Sequence, residues 1–353
     1  MASLTHAVPR SQFWVNKRVF ITGHTGFKGG WLTLWLSQLG AVLRGYALPP
    51  DTQPNIFTSC GVEWLIEHQL GDVRDGETLT AAMQEFKPDI VLHLAAQPLV
   101  RASYARPMET YATNIMGTAN VLDAARQTPS VQVAVIVTSD KVYAENAEAH
   151  EETSRLGGHD PYSASKACAE LVAASFPLPE GLKLATVRAG NVIGGGDWAQ
   201  DRLLPDFFKT IMAGEFLTIR NPRAIRPWQH VLEPLCGYLL AAEHMWTNDE
   251  QRNTWNFGPS QSSTVTVQTI AGKLCALWGQ GAFFTVMPDE NPVHEAPVLR
   301  LNAKKAWQDL AWRPGMTLDE ALAATVAWYR AFQAGESMRD FTLSQIKAFG
   351  QYE

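Results

Sequence analysis

The sequence predicts an α/β fold: a doubly wound parallel sheet followed by a smaller C-terminal region that binds substrate. Three observations predict it. Short apolar runs recur between helical stretches, a glycine-rich turn joins the first run to the first helix, and this alternation breaks down after Asn191. An apolar run without polar alternation is a strand buried on both faces. Helices between such strands are the crossovers of a parallel sheet.

The runs are Arg18–Thr22 (RVFIT), Val42–Ala47, Asp89–Leu94 (DIVLHL), Val131–Val137 (VQVAVIV) and Leu184–Val187, with an apolar helical stretch over Phe27–Leu39. Beyond Asn191, glycine, proline and arginine become frequent, as in Gly194-Gly195-Gly196 and Asn221–Pro227. Loops and helices are expected there, and the chain can cross back into the sheet.

The 353 residues suffice for one large or two moderate cores. With 46% hydrophobic and 18% charged residues, the composition is that of a folded protein. A net charge of −6 argues against nucleic acid and anionic membrane surfaces as partners. Cys60, Cys168, Cys236 and Cys275 form no C-x-x-C pair and read as free thiols of a reducing compartment. Met1–Gln12 lacks the apolar core of a secretory signal. Trp31–Leu43, interrupted by Ser37, Gln38 and Gly40, is too short to span a bilayer. A soluble, cytoplasmic protein is expected. The nine histidines show no metal-ligand spacing, and most of the twelve tryptophans should be core, with one or two at a ligand.

Gly23-His24-Thr25-Gly26-Phe27-Lys28-Gly29 follows the first strand and opens the first helix. Glycines at this spacing let the chain turn sharply, bring backbone N–H groups to a pyrophosphate, and pack the helix close to the sheet. This predicts a Rossmann dinucleotide-binding region over residues 1–190, with residues 191–353 holding the substrate. The acidic residue expected at the end of the second strand is missing, since the chain reads Gly45-Tyr46-Ala47-Leu48-Pro49. NAD is the expected cofactor, and the sequence leaves NADP open. Asp72, before Val73, is placed either to hold the adenine amino group or to cap the helix starting near Glu77.

Asp160-Pro161 can cap and start a helix, which puts Tyr162 and Lys166 one turn apart on one face. A free tyrosine titrates near ~10 and is a poor base. A nearby ammonium and an oxidised nicotinamide favour tyrosinate, making Tyr162 able to take a sugar hydroxyl proton. Thr138, Ser139, Asp140 and Lys141 begin at the carboxyl end of the run Val131–Val137, the edge that holds ligands in such sheets. Ser139 can hydrogen-bond the reacting hydroxyl, and Asp140 is a candidate general acid. Arg188, Arg202, Arg220, Arg223 and Arg226 enrich the second half in groups that grip phosphate. Surface ion pairing accounts for others among them.

These motifs together resemble the extended short-chain dehydrogenase/reductase family, over Arg18 to about Tyr329. Leu94-Ala95-Ala96-Gln97 and Tyr111–Thr118, with Asn114, look like its cofactor-side segments. The 4,6-dehydratases of that family carry Asp-Glu after the catalytic Ser/Thr; here the pair is Asp140-Lys141. With residues 23–31, 188–198 and 225–231, that departure resembles the nucleotide-sugar 4,6-dehydratases acting on CDP-linked hexoses. Leu301-Asn302, Lys305-Ala306 and Ala311–Pro314 follow the family's closing pattern.

The resemblance implies oxidation at C4 with Tyr162 as base, loss of water across C5–C6 with Asp140 as acid, and reduction at C6. It places Lys166 on the nicotinamide ribose, lowering the pKa of Tyr162. Lys141 either serves as the C5 base or positions substrate. Asn191, Arg202, Arg220, Arg226 and His294 are the implied substrate contacts, though the arginine often found before His294-Glu295 is absent. A homodimer or dimer of dimers through helices Met108–Arg126 and Pro161–Ser175, and a role in deoxysugar synthesis for cell-surface polysaccharide, are also implied. Two other readings remain: a 4-epimerase or ketoreductase on the same fold, and a catalytically idle NAD(P) sensor. Asp140 argues against the first, because epimerisation expels no hydroxyl. Intact Ser139, Tyr162 and Lys166 argue against the second.

Overall fold

The computed structural model describes residues 6–145, 148–279, 281–287 and 299–350. Strands follow in chain order as β1 (Arg18–Thr22), β2 (Val42–Ala47), β3 (Glu67–Leu70), β4 (Ile90–His93), β5 (Val133–Val137) and β6 (Lys183–Ala189). With strand Arg252–Phe257 they form a seven-stranded sheet, in the order Arg252–Phe257, β6, β5, β4, β1, β2, β3. Every neighbouring pair is parallel.

Both faces of the sheet are covered, which is why its strands read as unbroken apolar runs. Phe20, Val91, Ala134 and Ile136 pack with Leu79, Met83, Phe86, Val121 and Leu122 of helices Gly76–Phe86 and Gly117–Arg126. The alternate residues Val19, Ile21, Leu92 and Val135 pack with Trp31, Leu34, Leu235 and Leu239 of helices Phe27–Gln38 and Leu232–Thr247. The polar edge strand β3 (EHQL) carries no apolar run, because its side chains are largely exposed.

The chain past residue 190 contributes to both regions. Helix Leu232–Thr247 lies on β5 and β6, and strand Arg252–Phe257 pairs with β6 from Arg252↔Leu184 to Phe257↔Ala189. The rest forms a three-stranded sheet (Thr264–Thr266, Ile225–His230, Asn191–Ile193), a two-stranded one (Phe284–Val286, Leu217–Ile219) and further helices. Among the described residues no helix is long and apolar enough to cross a membrane. All four cysteines are free.

Helix Pro161–Ser175 starts as its sequence dictates. The Asp160 carboxylate accepts from Ser163 N at 2.9 Å, and Pro161 occupies the first turn. The helix is then bolted to the sheet by a buried ion pair. Glu170 accepts from Arg188 Nε at 2.9 Å and Nη2 at 2.8 Å, from Thr186 Oγ1 at 2.8 Å, and from Thr138 Oγ1. Arg188 also donates to Tyr143 OH at 2.6 Å, and Tyr143 donates to Asn256 Oδ1 at 2.7 Å. Arg188, one of the arginines considered for phosphate, is therefore committed to the core. Arg188→Met strands the Glu170 charge and should cost about 3–5 kcal/mol, read as a lowered urea midpoint.

Candidate active site

The carboxyl ends of the parallel strands open onto a cleft of about 1160 Å³. Its floor begins at the glycine turn. Gly23 has φ +79°, and a Cβ there would lie 2.7 Å from Ala95 N; one on Gly29 would lie 2.1 Å from Gly23 O. Only glycine permits this turn to sit against the loop after β4 and the helix to start so close to β1. Thr25 Oγ1 ties the turn to Leu48 O at 2.9 Å. Helix Phe27–Gln38 has no side-chain cap and no acidic residue in its first turn. Its N-terminal partial positive charge is thus left for an anion. This cradle fits a dinucleotide pyrophosphate.

Across the cleft stand Ser139, Asp140, Tyr162 and Lys166. Ser139 caps the short turn Asp140–Val142, and its Oγ donates to Asp140 Oδ1 at 3.0 Å. The Tyr162 phenol faces the Ser139 hydroxyl, and burial pushes it up to about 12 while Ser139 and the Arg202 guanidinium pull it back. Lys166 donates to Val137 O at 3.1 Å, and burial draws its ammonium down to about 8 against the opposing Glu170 carboxylate. Arg202 reaches the site from the start of helix Leu203–Met212 and is held by Asp197 at 3.0 Å. Asp140 is 2% exposed, and its Oδ2 has no hydrogen-bond partner among the described residues.

The cleft brings together Gly23, Thr25, Gly26, Phe27, Lys28, Gly29, Asp72, Val73, Leu94, Ala95, Ala96, Thr138, Ser139, Asp140, Lys141, Tyr162, Lys166, Asn191, Arg202, Arg220 and Arg226. Asp72 faces it while paired with Arg74, and it is Asp75 that caps helix Gly76–Phe86. Three expected residues stand behind the wall. The His24 side chain is fully buried, bonded to His68 at 2.7 Å and kept neutral by burial, at about 3. Gln97 and Asn114 brace each other, Gln97 N to Asn114 Oδ1 at 2.8 Å, and Asn114 Nδ2 reaches Ser165 Oγ at 2.9 Å. They fix the loop after β4 to the Pro161–Ser175 helix. Asn114 points there from a π-helical turn, Ala112–Met116, a widened turn that often marks functional sites. Arg220 pairs with Asp201 at 2.7 Å. His294 lies outside the described residues.

Sequence reasoning passed over Asp197, although it follows the singled-out glycine triplet, and over the tyrosine-directed placement of Arg202. Trp198 and Trp228 line the cleft.

The chain is 48% identical over 339 residues to the CDP-glucose 4,6-dehydratase of Salmonella typhimurium, covering 92% of this chain and 94% of that protein. Its fold matches a UDP-glucose 4-epimerase from Stenotrophomonas maltophila solved with NAD, with a TM-score of 0.79 at 23% identity, over 91% of this chain and 100% of that one. It also matches an NAD-bound dTDP-glucose 4,6-dehydratase from Streptomyces venezuelae, with a TM-score of 0.76 at 25% identity, over 90% and 98% of the two chains. The family model for NAD dependent epimerases and dehydratases matches residues 19–258. A glycine cradle at one end of the cleft, a buried tyrosine and aspartic acid beside one serine at the other, and this extent of likeness lead to one conclusion: the chain belongs to the NAD dependent epimerase/dehydratase family.

Proposed function

We propose that this chain is a CDP-glucose 4,6-dehydratase, a hydro-lyase converting CDP-glucose to CDP-4-keto-6-deoxyglucose. One observation carries the reading. Asp140, buried beside Ser139 and Tyr162 with an oxygen left over for a ligand, is an acid that elimination requires and epimerisation does not. The 48% identity to the Salmonella enzyme supports the choice of CDP-glucose.

Residues 1–190, with the returning strand, form the cofactor side, and 191–353 the nucleotide-sugar side. Gly23, Thr25, Gly26 and Phe27 would hold the NAD pyrophosphate, Asp72 and Val73 the adenosine end, and Tyr162 and Lys166 the other ribose. Bound NAD supplies a two-electron acceptor for C4, later the donor to C6, and a positive ring that offsets the burial cost of tyrosinate.

The chain's own groups manage the protons. Tyr162 takes the C4 hydroxyl proton as C4 is oxidised. The ketone acidifies the neighbouring C5 hydrogen. Once that hydrogen is removed, Asp140 protonates the C6 oxygen, which leaves as water. The Ser139 hydroxyl donates to Asp140 and faces Tyr162, so it offers the path by which the proton gained by Tyr162 restores the acid. The proton of the C4 hydroxyl thus replaces the one that Asp140 gives to the expelled water, and the balance closes. Arg202 stabilises the tyrosinate, and Asn191, Arg220 and Arg226 line the side of the cleft open to the sugar diphosphate. The released product, a ketosugar on a nucleotide, suits reductases or transferases that finish deoxysugars for the cell surface.

The same reading includes a cytoplasmic homodimer. Helices Pro107–Tyr111, Gly117–Arg126 and Pro161–Ser175 pack side by side and leave Met108, Met116 and Leu171 exposed, an apolar surface suited to a second copy.

Incubation with CDP-, dTDP-, UDP- and GDP-hexoses should give the alkali-induced absorbance of a 4-keto-6-deoxy product with CDP-glucose; no product from it would sink the reading. Asp140→Asn should slow loss of water about 100-fold or more while the first oxidation, read by reduced-cofactor absorbance, changes far less. Arg202→Met should move the acidic limb of kcat/KM upward by about one pH unit, and Arg202→Lys should bring it back. Leu171→Glu should halve the mass measured by sedimentation.

A further inference from the structure

The reaction proposed above leaves one proton transfer without an owner, removal of the C5 hydrogen. Lys141 occupies the sequence position of the usual glutamate. A second lysine lines the same cleft. Lys28 sits in the first turn of helix Phe27–Gln38 and lines the cleft. A pyrophosphate in the glycine cradle engages backbone N–H groups of this turn, which leaves the Lys28 side chain without a part in holding it.

That side chain is held elsewhere. Its Nζ donates to the Tyr238 hydroxyl at 3.3 Å and lies 5.7 Å from the centre of the Tyr238 ring. Tyr238, on helix Leu232–Thr247, is 1% exposed and lies within electrostatic reach of Tyr162 and Asp140. The charged groups acting on Lys28 are Arg202, Lys166, Asp140 and Asp197. With Tyr238 they come from four parts of the fold: the turn after β5, helix Pro161–Ser175, the segment before helix Leu203–Met212, and helix Leu232–Thr247.

This cluster gathers three cations, Lys28, Lys166 and Arg202, around two carboxylates, Asp140 and Asp197. Arg202 is paired with Asp197, and Arg cannot give up its proton. Lys166 has the Glu170 charge behind it. The surplus falls on Lys28. Burial first, then Arg202 and Lys166, bring its ammonium down to about 7. A substantial fraction is then free amine at neutral pH, the condition for a lysine base. A neutral amine keeps one N–H for Tyr238 and leaves its lone pair for the cleft.

We propose that Lys28 is the base of the elimination, taking the C5 proton while Asp140 protonates the departing C6 hydroxyl. The inference rests on the dehydratase reading. The C5–H electron pair becomes the C5–C6 double bond. The C6–O bond breaks, and its oxygen takes the Asp140 proton and leaves as water. Lys28 ends as ammonium and Asp140 as carboxylate, so the charge of the site is conserved. The ammonium returns its proton to C5 when C6 is reduced.

The test isolates that proton. CDP-4-keto-6-deoxyglucose is supplied to the NAD-loaded protein in D2O, and exchange of the C5 hydrogen is followed by proton NMR. Lys28→Met and Lys28→Arg should each slow exchange at least about 100-fold, with NAD affinity by fluorescence titration and the urea midpoint checked alongside. Lys28→Gln replaces the Met variant if that one does not fold. Exchange within tenfold of wild type in the uncharged variant overturns the proposal. So does exchange retained in Lys28→Arg alone, which would assign Lys28 a charge role. Loss in Lys141→Met with retention in Lys28→Met would give the base to Lys141. Failure of the wild-type protein to turn over CDP-glucose sinks the dehydratase reading instead, so the two failures are distinct.

Discussion

The ion pair between Glu170 and Arg188 fixes the register of the whole reacting centre. Glu170 lies four residues beyond Lys166 and eight beyond Tyr162, so all three share one helical face. Its carboxylate grips Thr186 and Arg188 on β6 and Thr138 at the end of β5. Thr138 adjoins Ser139. The spacing between the serine on the sheet and the tyrosine on the helix is therefore set by a buried charge. Every acceptor position of that charge is filled, which is what makes a buried polar network rigid instead of costly.

The electrostatics of the cleft run against those of the molecule. The chain carries a net charge of −6, yet Lys28, Lys166 and Arg202 crowd one end of the cleft. Burial raises the cost of every charged form, so the tyrosine climbs and the lysines fall. The lysines move toward neutral pH while the tyrosine moves away from it. A bound positive ring and a diphosphate would complete this balance, so the site's full proton chemistry depends on its ligands being present.

Much of this was legible in the sequence, for identifiable reasons. β1, β4 and β5 are covered on both faces, and burial wrote them as apolar runs. The glycine turn was legible because backbone contact leaves glycine no substitute at Gly23 and Gly29. Asp160-Pro161 announced its helix through local capping. Non-local features were silent. Strand Arg252–Phe257 (RNTWNF) is half-exposed along its first residues, and only its pairing with β6 makes it a strand. Arg202 looks like any phosphate-binding arginine until the fold carries it to Tyr162. The π-helical turn at Asn114 leaves no compositional mark. Lys28 was hidden inside a motif whose backbone function is sufficient to explain it.

The late return of the chain to the sheet has a consequence for how the protein can be divided. A fragment ending near residue 190 would keep the glycine cradle and Tyr162. It would leave β6 as a bare border, with open peptide groups along one side and its covering helix gone from one face. Unprotected parallel borders of that kind recruit other chains. Separately expressed halves are thus candidates for precipitation, and any split-protein design would need its cut outside the span from β1 to Phe257.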